Sequence, residues 1–511
     1  MTTDTQAVHR SGTRGRLPTG LLAALGMAAL VGSGCTPDIP TESPSVFFEF
    51  QFDPSSTPPK AYEPNLLVTN PETQRIDFSV GGIIIPEDPL ECQTQTALSV
   101  AQCELYWSIQ GLDGFPTLTP GRTPVSAALD TNTLTLPGNV LVYEFMRGQS
   151  PVTALDVAYD AADGVLTIDP QEGWELGGLY LVSLRGYASG VKDLDGNEGV
   201  KSQIYSLLKQ EDSLSCGATT LDEIHAGCTY YNLFAGDARF KDLPPAEQKA
   251  ALGATLLQLE QLRQLYRGEL PGGLPFSAWD AVAEKGEMPP EEVGILWAFR
   301  THTASVIELN PNKGLVPVVT APTEIRIPVK GPIQEDTLKP FSLTDATGTV
   351  FLLDATAFLG GDFLGALPAF ATTYENGAIV LTTSAALVQG HLYMTLVTTE
   401  VEGKAGVPIV PSPVTVLLRT RGALVDDFAG CPAQPDPTCP PTAPPTDLPT
   451  AKSLVSGLKA AEACLLEDGR QQFQALLDNQ MVLDLTKTAD RPNGLTRELV
   501  AFMYGLTYCG Q

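Results

Sequence analysis

The chain is short of positive charge. It has 31 Lys and Arg against 59 Asp and Glu, a formal balance of −28. That argues against gripping nucleic acid or anionic lipid headgroups, which takes clustered Lys and Arg. Histidine is scarce too: His225, His302 and His391 lie far apart with no shared local motif to gather them as ligands. No C-x-x-C occurs, so the usual zinc spacing is missing. No G-x-S-x-G occurs either, which removes the strained strand-to-helix turn that presents a serine nucleophile in α/β-hydrolases. Nor does any uncharged apolar run reach the roughly 20 residues needed to span a bilayer. The nearest approach, LLAALGMAALVGSGCTP from Leu21 to Pro37, is thinned by Gly26, Gly32 and Gly34.

What that run does have is the layout of a secretory leader. Arg10, Arg14 and Arg16 precede it and small residues end it, so residues 1–34 read as a signal peptide. Ser33-Gly34-Cys35 resembles the lipobox of bacterial lipoproteins, although Gly32 stands where that family prefers Leu. The resemblance implies cleavage before Cys35, lipidation of its thiol, and a tether over residues 35–44. Two or three acyl chains hold a protein stably on a membrane where one does not. Thr36 is not the Asp that retains some lipoproteins at the inner membrane, so the resemblance implies an exported protein at the outer membrane, on the cell surface or the periplasmic face. Without residues 1–34 the chain has 28 basic and 58 acidic residues, a balance of −30.

Eight cysteines remain, an even number in an exported chain, which predicts disulfides. Spacing pairs neighbours: Cys92 with Cys103, Cys216 with Cys228, Cys431 with Cys439, and Cys464 with Cys509. Other connectivities stay open, since spacing alone does not fix them.

Two stretches carry the same punctuation. GVLTIDPQEGWELGGLYLVSL from Gly164 and GAIVLTTSAALVQGHLYMTLV from Gly377 place Gly177 and Gly390, then Tyr180 and Tyr393, at equal offsets. Each reads as two alternating strands about a turn. A cysteine pair follows each, and then DLPPA at Asp242 and DLPTA at Asp447 read as helix openings, with Asp as cap and Pro in the first turn. Leu252, Leu256, Leu259, Leu262 and Tyr266 continue the first helix, and Leu454, Leu458, Ala461 and Leu465 the second. EVGILWAFRTHT from Glu292 and ELVAFMYGLTYC from Glu498 close the two halves.

The chain therefore reads as mainly β, with two Ig-like β-sandwich units over residues 45–310 and 318–511. Each has an α-helical insertion before its last strand, over about 242–286 and about 447–480. Short alternating runs broken by turn residues are the sandwich pattern; Ile76–Val80, Leu105–Ile109 and Val414–Arg419 are among the expected strands. Tyr180 and Tyr393, each opening a late strand, are placed to tie a neighbouring loop through the hydroxyl.

Phe52-Asp53-Pro54, Pro64-Asn65-Leu66-Leu67, LDGFPTLTPGRTPVSAALD from Leu112, GLYLVSLRGYASGVKDLDGNEGV from Gly178 and ILWAFRTHT from Ile295 resemble the amino-terminal region of bacterial virulence-factor-type surface lipases. In those proteins bacterial Ig-like (SbsA-like) modules follow a lipoprotein leader and precede an α/β-hydrolase. The likeness covers residues 45 to about 305, and the second half only through the internal repeat. It implies an anchor and a scaffold; the missing nucleophile elbow takes the lipase activity away.

Other candidate chemistry is thin. The S-x-x-K matches Ser206–Lys209 and Ser456–Lys459 lack the further Ser, Asn and Lys motifs of a serine acyl-enzyme. DLDGNE offers Asp193, Asp195 and Asn197 as a weak calcium candidate, but Gly196 breaks the EF-hand spacing, and a hairpin turn accounts for it. Trp107, Trp174, Trp279 and Trp297 read as packing residues; an exposed one would support glycan binding. The expectation is a non-catalytic, lipid-anchored binding or scaffold protein with no cofactor, held to the membrane by its lipid, with an unknown protein or glycan ligand and no nucleic acid. The alternatives are a lipase-like or other hydrolase, or an accessory part of one, suggested by family likeness alone, and a carbohydrate- or calcium-dependent adhesin.

Overall fold

The computed structural model describes residues 47–51 and 68–509, apart from 71, 82, 96, 146–149, 238–239, 271–273, 275, 287, 311–314, 343, 345, 433–448 and 457. The expected leader, Cys35, the tether, Cys439, Asp447 and Leu448 lie outside them; the rest of the expected DLPTA helix opening, Pro449 to Ala451, is described and is not helical. The described residues run twice through a similar order of strands.

The first repeat has β1 (Phe47–Phe50), α1 (Val100–Ile109), β2 (Gly121–Pro124), β3 (Val140–Glu144), β4 (Leu155–Asp160), β5 (Val165–Pro170), β6 (Leu179–Arg185) and β7 (Glu198–Lys201). Helices α2 (Gln203–Leu208), α3 (Thr229–Ala235), α4 (Pro245–Arg267) and α5 (Ala278–Gly286) follow, and then β8 (Val293–Arg300). The second has β9 (Val306–Ile307), β10 (Val318–Ala321), β11 (Glu324–Pro328), β12 (Val350–Asp354), α6 (Ala355–Leu359), β13 (Phe370–Glu375), β14 (Ala378–Thr383), β15 (Leu392–Thr398) and β16 (Val410–Pro411). Helices α7 (Pro413–Arg419), α8 (Ala460–Leu477) and α9 (Gln480–Leu485) lead to β17 (Val500–Thr507). Among the described residues, α1 and α3 are found in the first run alone and β10 and α6 in the second alone.

The sheets repeat with the elements. Sheet β2-β5-β4 answers to β10-β11-β14-β13, and β3-β6-β8 to β12-β15-β17. The entry strand of each repeat pairs in parallel with a late one, β1 with β7 and β9 with β16. Even an irregularity is copied. Strand β6 runs in step with β8 from Leu179↔Arg300 to Leu184↔Ile295 and then skips to Arg185↔Val293; β15 runs with β17 from Leu392↔Thr507 to Val397↔Phe502 and then skips to Thr398↔Val500. A bulge inserts one residue and re-aims the rest of the strand. The register matches Val293 with Val500, so Glu292 corresponds to Leu499 and not, as the sequence suggests, to Glu498.

The tyrosine pair is copied too. The Tyr180 hydroxyl accepts from the Glu175 N–H at 2.8 Å, and the Tyr393 hydroxyl from the Val388 N–H at 2.8 Å. Gly177 and Gly390, at φ +67° and +82°, supply the left-handed turn before each. Apolar side chains from Phe48 to Phe299 make one core and those from Ile307 to Tyr508 a second, which Ala101 of α1 joins. Both lie within one compact unit, Ile39–Gln511. No helix among the described residues is long and apolar enough to cross a membrane.

Several expected elements differ. Leu105–Ile109 is not a strand but the end of α1, begun by Ser99, whose side chain accepts from the Gln102 N–H. Val414–Arg419 is helical, since Ser412 caps α7 and Pro413 takes its first position. Ile76–Val80 runs into a single 3₁₀ turn, Phe78–Gly81. The first helices before the last strands begin earlier than expected, at Gln203 and Pro413, because α2 and α7, at six and seven residues, are too short for apolar periodicity to reveal. Helix α8 starts at Ala460; Leu454 precedes it in a bridged segment, where Ser453 pairs with Val425.

Disulfides join Cys92 to Cys103 and Cys216 to Cys228, with Cα atoms 5.7 Å apart in both. The expected pairs Cys431–Cys439 and Cys464–Cys509 are not formed. Cys431 joins Cys464 across 5.5 Å, because the late start of α8 puts Cys464 near that helix's beginning, against the turn Phe428–Gly430. Cys509 is disulfide-bonded as well.

Candidate functional site: the seam between the repeats

Helix α1, stapled by Cys92–Cys103, carries buried polar side chains, which is unusual for a helix of this length unless they meet partners. The partners come from the second repeat. Ser99 donates to the Leu454 carbonyl at 2.6 Å, and Gln102 accepts from the Ser456 N–H at 2.6 Å. Glu104 accepts from the Thr420 hydroxyl at 2.7 Å, the Arg421 N–H at 3.0 Å and the Arg421 guanidinium at 3.2 Å. Arg421 also reaches Glu498 at 2.6 Å. Burial works against the Glu498 charge, but Arg421 outweighs it and holds that carboxyl below its usual range. The approach is close enough to require glycine at 422, where a Cβ would stand 2.6 Å from the Ala101 nitrogen.

Beside this seam lies a cleft of about 190 Å³ between α1, α7 and the segment before α8. Tyr106, Ile109 and Leu417 wall it, and Arg122, Asp169 and Glu462 stand at its polar edge. An apolar cleft with a few polar groups is the usual form of a small-ligand site; this one suits a small apolar group with a polar end.

Of the candidate reactive residues, Ser206 and Lys209 are spent on main-chain support. Ser456 lines the cleft, its N–H given to Gln102 and its carbonyl accepting from Arg122 at 3.4 Å. Lys459 stands outside that lining, at the cap of α8. Ser206 is buried in α2 and donates to the Ser202 carbonyl at 3.1 Å. Lys209 donates to the Pro290 carbonyl and lies 4.9 Å from the Trp279 ring centre; burial, with Lys201 alongside, pulls its ammonium down to about 7. The same position in the second repeat is Arg419, which donates to the carbonyls of Arg497 at 3.0 Å and Glu498 at 3.1 Å, and to that of Val500. By strand register Pro290 corresponds to Arg497. A guanidinium does not serve as a base at neutral pH, so the shared role is holding the entry to the last strand.

The Asp193 carboxylate is taken up by its own turn, accepting from the N–H groups of Asp195 at 3.0 Å and Asn197 at 2.8 Å and from the Asn197 amide at 2.9 Å. Among the described residues, no group of three or more His, Cys, Asp and Glu forms a metal-binding cluster. His225 accepts from the Gly227 N–H at 3.1 Å on an exposed loop. His391 meets Asp354 at 2.7 Å; Thr356 nearby accepts from the Leu392 N–H. His302 is buried, and burial lowers its pKa to about 4. Neither of its ring nitrogens has a hydrogen bond of full geometry, although the main chain of Ala304 slightly favours the charged form. Trp174, Trp279 and Trp297 are buried, and the half-buried Trp107 donates to the Glu87 carbonyl at 3.0 Å.

A further pair of sites has no counterpart among the residues expected from the sequence. Glu260 accepts from the Leu214 N–H at 2.7 Å, from Arg263 at 2.9 Å and from Gln264 at 2.8 Å. Glu467 accepts from the Leu424 N–H at 2.8 Å, from Arg470 at 2.6 Å and from Gln471 at 2.9 Å. Burial opposes both charges, and the arginines outweigh it, so both carboxyls stay below their usual range. The signal was present as E-x-x-R-Q in EQLRQ and EDGRQ, hidden by the abundance of acidic residues.

No protein-family model and no curated protein matches the chain. Among solved structures, the N-terminal part of the bacterial S-layer protein SbsC is similar at 13% identity and a TM-score of 0.15, over 40% of this chain and 35% of that one. A likeness that distant leaves the fold to be argued from the elements themselves.

Proposed function

We propose that this is a non-catalytic, lipid-anchored protein of the bacterial outer membrane or cell surface, working as a rigid binding or spacing module. The observation that supports it most is the seam. Glu104, Gln102 and Ser99 commit a disulfide-stapled helix of one repeat to the main chain of the other, an arrangement that fixes the relative placement of loops. In this reading each repeat is an Ig-like sandwich, a view favoured by the strand order and by the two tyrosines that tie back to the turn before their strand. The leader pattern ending at Cys35 supports the anchor.

The test is protease shaving of intact cells, comparing wild type with Cys35→Ala in whole cells, membranes and medium. The proposal expects the wild-type protein in the membrane fraction and cleaved from outside, and the variant released. Unchanged fractionation of the variant would overturn the anchor; a membrane-bound protein protected from protease would overturn the surface placement.

A further inference from the structure

The sheet β12-β15-β17 and helices α8 and α9 enclose a second cavity, of about 260 Å³. Leu352, Met394, Leu396, Phe473, Leu495 and Met503 line it. Among the described residues that line it, the two hydroxyls are already used: Thr395 donates to the Tyr504 carbonyl at 3.3 Å, and Thr486 to the Val482 carbonyl at 2.8 Å. The wall thus offers nothing to a polar group, which would lose water without replacement. Phe363 and Leu364 of the lining, and Leu485 of α9, are 50%, 77% and 43% exposed, so the apolar wall continues out to solvent.

The first repeat shows what belongs in this space. By register Leu396, Phe473 and Met503 correspond to Ser183, Tyr266 and Leu296. There the chain fills the place itself. Met288 receives a hydrogen bond from Ser183 at 3.3 Å, the Trp279 ring lies 6.0 Å from Tyr266 and 5.4 Å from Tyr205, and the Tyr205 hydroxyl meets the Leu296 carbonyl at 3.3 Å. Residues 478–499, which take the same path in the second repeat, include no aromatic residue. Apolar mass supplied from within the first repeat is left to be supplied from outside in the second.

We propose that this cavity binds one hydrocarbon chain, the tail of a fatty acid or other single-chain lipid, with its polar end in solvent beside Phe363 and Leu364. An apolar cavity of about 150 Å³ stays dry and takes up benzene; this one is larger, and its apolar exit suits a chain longer than the cavity. The cavity's lining runs from Phe341 to Met503 and includes no residue of the expected leader or tether, so either proposal can fail alone.

The experiment is titration calorimetry of the full chain with decanoate and with decanol. Both bind saturably at one per chain with a negative heat-capacity change. Met394→Trp, which fills the cavity from β15, weakens both at least tenfold, and Leu485→Lys, at the mouth, weakens both several-fold without changing the melting temperature. Should Met394→Trp fail to fold, Leu485→Lys decides. The proposal is overturned if wild type binds neither ligand, if both variants bind as wild type does, or if only decanoate binds, which would place recognition at a charged headgroup. It is also overturned if no ligand binds and the chain instead dimerises through this patch, with Leu364→Lys abolishing the dimer.

Discussion

Set side by side, the two repeats agree in their polar devices and differ in their apolar filling. Glu260 and Glu467, Tyr180 and Tyr393, and Lys209 and Arg419 hold corresponding main-chain groups. The space that Trp279 and Met288 close in one repeat is open in the other. A buried N–H or carbonyl needs a partner at one place and in one direction, and losing it costs the whole desolvation of that group. Apolar volume is supplied by many side chains, or by a ligand, at similar cost. Duplicated chains are therefore free to drift in filling while their polar contacts stay fixed.

The largest test of that comparison is at the buried carboxylates. Glu260→Ala and Glu467→Ala each take the acceptor from a main-chain N–H and the paired carboxylate from a buried arginine, with Arg263 keeping Glu269 at 3.0 Å and Arg470 keeping Gln474 at 2.7 Å. Each should cost up to about 3–5 kcal/mol, read from urea unfolding. Equal costs sharpen the comparison; a large cost in one repeat only would break it.

Acid should separate the repeats next. His302, two residues past β8, corresponds to Cys509, which is disulfide-bonded and does not titrate. Because the folded pKa of His302 is about 4 against an ordinary 6.5, the unfolded chain takes the proton first as pH falls. The stability this histidine contributes is full above about pH 6.5 and is lost down through about pH 4, by up to about 3 kcal/mol. His302→Leu should flatten the stability profile over that window; an unchanged profile would mean that acid acts elsewhere.

The smallest effect belongs to the tyrosines. Tyr180→Phe and Tyr393→Phe each remove one acceptor from a loop N–H, at about 1–2 kcal/mol, and thermal melts should show similar shifts for the two.

How much was legible follows from the same physics. Gly177, Gly390, Tyr180 and Tyr393 announced the duplication because a left-handed turn and a tethering hydroxyl each need a particular residue type at a particular offset. Helices α1, α2 and α7 read as strands or not at all, since in short segments the cap at Ser99, Ser202 or Ser412 decides the conformation and apolar alternation does not. Cys431–Cys464 was missed because proximity in sequence stood in for proximity in space. The polar seam of α1 has no motif, as Glu104 gains its meaning only when Thr420 and Arg421 arrive from the other repeat. The cavity is a difference between two fillings, visible only with both repeats folded.

If two copies of one architecture are locked into a single body by α1, scanning calorimetry of wild type and Glu104→Ala under oxidising conditions reads the lock most directly. Wild type should melt in one cooperative transition, and the variant in two separated transitions once the Thr420 hydroxyl and the Arg421 N–H lose their acceptor. Two independent transitions in wild type, or a variant that melts as wild type does, would contradict the lock.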